Sequence, residues 1–131
     1  MIAVDTSALI AIQQGEPEAE QFGSILQAEE AVIASPNLLE YYMVITARYG
    51  EAGAEQARAM IAHLDATIFP WPEECVALAL AAFETYGKGR HRAALNFGDC
   101  IAYALAKYLG IALLFKGDDF RHTDIRPAWQ G

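Results

Sequence analysis

The stretch that most constrains this chain is Leu95–Phe120, LNFGDCIAYALAKYLGIALLFKGDDF. It begins with a carboxylate at Asp99 and ends with two, Asp118 and Asp119. An apolar helix pattern runs from Asp99 to Leu109, is broken at Gly110, and gives way to an apolar strand pattern over Ile111–Phe115. The helix climbs roughly 16 Å at about 1.5 Å per residue. The strand descends about 16 Å at about 3.3 Å per residue. If Gly110 takes the left-handed conformation that stops a helix, the descent cancels the climb. Asp118 and Asp119 then return to the level of Asp99. Acidic groups gathered at one end of such a unit repel one another unless a cation sits among them.

The remaining chain supplies more elements of the same kind. Met1–Val4 reads as a short strand ending at Asp5, and Thr6-Ser7 opens a helix pattern over Ala8–Ile12. Asp5 therefore falls at the carboxyl end of a strand, the edge where open α/β sheets bind ligands. The competing role for Asp5 or Thr6 is a simple helix cap. Pro17–Glu30 reads as an amphipathic helix, and Ala31–Ala34 as a strand. Leu38–Tyr49, following Ser35-Pro36-Asn37, is apolar on nearly every side and is expected to be buried. Glu40 lies in its first turns with no basic residue three or four positions away. It is either a dipole-facing acid open to water or an unpaired carboxylate held for a purpose. Glu51–Ala66 reads as a helix, Thr67–Trp71 as a strand, and Glu73–Tyr86 as a helix with Val76, Ala79, Leu80 and Phe83 inward. Ile125 is a candidate start for a short last strand.

The order is β-α-α-β-α-α-β-α-α-β over residues 1–131, one domain with an α/β sandwich around a mostly parallel sheet. In that architecture strand carboxyl ends and helix amino ends share an edge. Asp5, Glu40, Asp99 and Asp118 or Asp119 all fall at such ends. Hard carboxylate oxygens without His or Cys suit Mg²⁺ or Mn²⁺ rather than zinc. A cation there can activate water for phosphodiester hydrolysis. Thr6 and Ser7 are placed to orient the carboxylates as hydrogen-bonding neighbours.

Charge is divided unevenly. Residues 1–87 hold two basic and thirteen acidic side chains, residues 88–131 seven basic and four acidic. The net charge of −8 argues against strong non-specific nucleic-acid binding. A local basic edge is still available in Gly87–Arg92, where Lys88, Arg90 and Arg92 lie just upstream of Asp99 and suit RNA phosphates or an acidic partner. Cys75 and Cys100 are isolated thiols in apolar helix patterns, so a reduced, cytoplasmic protein is expected. No apolar run reaches the ~18 residues of a membrane helix, and the amino terminus lacks the basic lead-in of a secretory signal.

With these residues in view, the chain resembles PIN-domain ribonucleases, and more narrowly the VapC toxins of bacterial toxin–antitoxin pairs. The resemblance rests on DTSALIAI at Asp5, Glu40 after SPNLL, GKGRHRAALNFGDCIAYALAK around Asp99, and LLFKGDDF followed by TDI. It implies a three-layer α/β/α sandwich, Mg²⁺- or Mn²⁺-dependent endoribonuclease activity, a homodimer, and inhibition by a cognate VapB-type antitoxin. The family's acidic quartet falls on Asp5, Glu40, Asp99 and either Asp118 or Asp119. Two other classes compete: a Mg²⁺-binding phosphoacceptor module using Lys116, and a catalytically idle partner-binding scaffold.

Overall fold

Four short strands, β1 (Ile2–Val4), β2 (Ala31–Ala34), β3 (Thr67–Phe69) and β4 (Ala112–Leu114), pair in the order β3-β2-β1-β4 in a computed structural model describing residues 1–131. Every pairing is parallel; Ile2 faces Ala31 on one side and Ala112 on the other. β1, β2 and β4 are buried along their whole length. This is why they read as unbroken apolar runs rather than as alternating patterns.

The helices are α1 (Thr6–Gln13), α2 (Ala19–Ala28), α3 (Ser35–Leu64), α4 (Glu74–Tyr86) and α5 (Phe97–Leu109). Alternate strand residues feed two separate cores. Ala3, Val32, Ala34 and Leu113 pack with residues of α4 and α5. Ile2, Val4, Ile33 and Leu114 pack with Leu9, Phe22 and Tyr41 of α1, α2 and α3. The result is the α/β/α sandwich that the element order implied. The helix patterns over 38–49 and 51–66 form the two halves of α3, broken at Gly50, whose φ of 69° and ψ of −155° are not helical. Gly110 (φ 67°) ends α5 in the left-handed conformation, as expected from the sequence.

Three expectations are corrected. Val76, Leu80 and Phe83 of α4 do not face inward; Val76 and Leu80 are 53% and 56% exposed. Ala79 packs against the core as expected, and the fully buried positions are Cys75 and Ala82, each one residue from the expected ones. Small side chains there let α4 lie close against α5, and both stripes are apolar, so periodicity alone could not choose between them. The apolar face of α3 carrying Leu39 and Met43 is also exposed, because Tyr41 and Ile45 point into the core instead. Ile125 begins no strand. The tail makes a single bridge, Leu113 to Pro127, and Pro127 cannot donate the hydrogen bond that would extend it. No helix is long and apolar enough to cross a membrane.

Candidate active site

Asp5 follows β1 directly and caps α1, its Oδ2 accepting the Ser7 N–H at 3.0 Å. It is only 3% exposed. Burial pushes its carboxyl up to about 7, the negative charges of Asp99 and Glu40 push the same way, and the Ser7 contacts oppose them.

Asp99 sits in the first turn of α5, where Asn96 and Asp99 form a capping box. The Asn96 Oδ1 accepts the Asp99 N–H at 2.9 Å, and the Asp99 Oδ2 accepts the Asn96 N–H at 3.0 Å. Its carboxyl is raised to about 6, chiefly by burial; the Asn96 N–H works against this, while Asp119 and Glu40 add to it.

Glu40 reaches the same place from α3. The Thr6 hydroxyl donates to its Oε1 at 2.5 Å, and the Asn37 Nδ2 lies 3.4 Å from that oxygen. A Cβ at Gly98, one residue before Asp99, would strike the Glu40 carboxylate where it now lies, so that carboxylate would have to move aside. The segment after β4 offers two further acids, Asp118 and Asp119. Asp119 is near enough for its charge to act on Asp99. Asp118 and Asp119 are both exposed, and Asp118 lies 4.0 Å from the Arg121 guanidinium.

The structure thus brings together Asp5, Glu40, Asp99 and Asp119, from four distant parts of the chain. None of them pairs with a Lys or Arg. Lys116, which a phosphoacceptor site would need free, is bound by Glu16, with Glu18 at 3.6 Å. Carboxylate charge without a basic partner, buried at Asp5 and half-buried at Glu40 and Asp99, fits a hard divalent cation. Asp5 and Asp99 each spend one oxygen on a backbone N–H and keep the other, Oδ1, for a ligand. As they stand, no three acidic, His or Cys side chains are close enough to cage an ion. Carboxylates holding to separate hydrogen-bond donors relieve their mutual repulsion in this way.

Thr6 and Ser7 divide their work differently from each other. Thr6 fixes Glu40 through its hydroxyl. Ser7 fixes Asp5 through its backbone, while its hydroxyl accepts the Lys116 N–H at 3.0 Å. Lys88, Arg90 and Arg92 are exposed in the loop between α4 and α5. That loop is tied by the Gly87–Leu95 bridge, and Arg90 stacks 5.0 Å over the Phe83 ring. Sequence reasoning missed Asn37, which is 1% exposed and bonds to Gly98 and Glu40. The signal was present: a polar residue three positions before Glu40 on one helix face.

The PIN-domain family model matches residues 2–126. This chain is a PIN-domain protein of the VapC ribonuclease family. Ribonuclease VapC30 of Mycobacterium tuberculosis is 43% identical to this VapC-family chain over 125 residues, covering 95% of both proteins. Ribonuclease VapC of Mycolicibacterium smegmatis is 40% identical, covering 95% of this chain and 97% of its own. Among solved structures, Mycobacterium tuberculosis VapC20, described as a sarcin-ricin loop cleaving toxin, superposes with a TM-score of 0.76 at 17% identity, covering 95% of this chain and 96% of its own. A chain from a Klebsiella pneumoniae toxin–antitoxin complex superposes with a TM-score of 0.71 at 20% identity, covering 95% and 93%. At those identities the superpositions bear on the PIN fold alone.

Proposed function

We propose that this VapC-family chain is a Mg²⁺- or Mn²⁺-dependent endoribonuclease, the toxin of a toxin–antitoxin pair, and that Asp5, Glu40, Asp99 and Asp119 hold its cation. The observation that carries the reading is the meeting of four carboxylates, from four elements, without a basic partner. A divalent cation bound there supplies the positive charge that makes water a better nucleophile and neutralises phosphate oxygens. The chain's own part is positional. Thr6 holds Glu40, and Ser7 holds Asp5. Burial keeps Asp5 dry enough for its charge to act strongly. Lys88, Arg90 and Arg92 face the solvent seven to eleven positions before Asp99, and contact RNA phosphates or an acidic stretch of the antitoxin.

A cognate VapB-type antitoxin is the protein partner, and a second copy of the chain is the other. The exposed apolar side chains of Leu39, Met43, Val76, Leu80 and Phe97 support a dimer. The buried free thiols Cys75 and Cys100 suit a reducing cytoplasm. The decisive test is cleavage of RNA with Mn²⁺ by the parent chain and by Asp5→Asn and Asp99→Asn. Both substitutions keep an oxygen for the caps at Ser7 and Asn96. Cleavage should disappear while far-UV circular dichroism is unchanged. Parental activity in either variant overturns the assignment.

A further inference from the structure

Asn37 stands where three of the acid-bearing segments meet. Its Nδ2 donates to the Gly98 carbonyl at 3.1 Å, a contact spanning 61 positions, and lies 3.4 Å from the Glu40 Oε1. Its own backbone carbonyl is 3.3 Å from the Thr6 hydroxyl. The orientation of its amide follows from those partners. Gly98 O and Glu40 Oε1 are both acceptors, so the nitrogen must face them. The Asn37 Oδ1 is then left buried with no partner. A buried carbonyl without a protein donor is a cost that an apolar side chain would not carry. An apolar residue of the same size would remove that cost, because Asn37 is wholly enclosed. Such a residue would also lose the single side-chain donor that ties α3 to the amino end of α5.

The α5 end matters because Asp99 follows Gly98 directly. Glu40 and Asp99 both reach the pocket from the amino ends of their helices, and no strand pairing links those two ends. α3 lies over one face of the sheet, among the core residues of α1 and α2; α5 belongs to the opposite core. The separation of the two carboxylates therefore rests on contacts made at the sheet's edge, and Asn37 to Gly98 is a side-chain bond made there.

We propose that Asn37 is a positioning residue for the acidic site, fixing the α5 amino end against α3 so that Asp99 and Glu40 stay within reach of one divalent cation. The inference rests on the ribonuclease reading for the ligand's identity.

Asn37→Leu tests it, since Leu keeps the branched outline of Asn, with more bulk and no donor. The probe is Mn²⁺ alone, titrated by calorimetry into the parent and the variant, with the thermal midpoint of each measured alongside. Mn²⁺ affinity should fall about 10- to 100-fold, as when neighbours of metal ligands are lost, while the midpoint holds or rises. A variant that binds Mn²⁺ as tightly as the parent overturns the role and leaves the ribonuclease reading standing. A parent chain that binds no Mn²⁺ overturns both. A second measurement uses the unaltered chain, should the variant fail to fold. The Asn37 side-chain amide protons should be slow to exchange with solvent and should shift on Mg²⁺ addition in ¹⁵N spectra. Fast exchange without a shift overturns the proposal.

Discussion

The Ser7 hydroxyl accepts the Lys116 backbone N–H at 3.0 Å across 109 positions of sequence. The same residue's own N–H holds the Asp5 carboxylate. One residue thus joins the exit of β1 to the exit of β4, where the chain turns through Gly117 (φ 98°) toward Asp119. Ser7→Ala keeps the backbone N–H contact to Asp5 and breaks the Lys116 one. Stability should fall by about 1 kcal/mol, the net worth of one hydrogen bond. Mn²⁺ affinity should also drop, because Asp119 loses its tether. Urea unfolding and calorimetry read the two effects, and unchanged affinity would show that the β4 exit holds its shape alone.

Gly98→Ala separates folding from function. Alanine suits a helix better than glycine by about 1 kcal/mol. The new Cβ nevertheless lands on the Glu40 carboxylate, which must swing away from Thr6. The variant should be as stable as the parent or more so, yet cleave RNA far more slowly. A thermal melt beside a Mn²⁺-dependent cleavage assay checks both halves.

Acid should stabilise the cation-free protein. Asp5 titrates at 3.8 when unfolded and at about 7 when folded, so between those values the native state keeps a proton the unfolded chain has released. Stability then falls as pH rises from about 4 to 7 and levels off above, by on the order of 4 kcal/mol for Asp5. Asp99, raised to about 6, adds in the same direction over the lower part of that window. Saturating Mg²⁺ should reverse the slope, since the ion takes the deprotonated form. Denaturant midpoints across pH, with and without Mg²⁺, decide it; a cation-free midpoint that rises from pH 4 to 7 contradicts the burial of these acids.

Phe97, 82% exposed, lies between two apolar grooves of about 470 and 510 Å³ that also share Ile101. A charge at the centre of such a face should break self-association. Phe97→Asp should convert a dimer into a monomer in light scattering. A parent chain already monomeric would assign the face to another partner.

Much of this was legible because it is local. Asp5 after an apolar run, the stop at Gly110 and the return of Asp119 to the level of Asp99 follow from rise per residue and φ preference. What escaped was relational. Both stripes of α4 are apolar, so only the partner helix selects Cys75 and Ala82 over Val76 and Leu80. Asp118 and Asp119 are adjacent and alike, and only Arg121 and the turn at Asp119–His122 tell them apart. Asn37 gains its meaning from Gly98, far away in sequence.

The capping box at Asn96 and Asp99 has one more effect. A single carboxylate both starts a helix and belongs to the pocket, so fraying of that first turn carries the acid away with it. Gentle heating should therefore silence the protein before it melts, with cation affinity fading while the sheet remains intact.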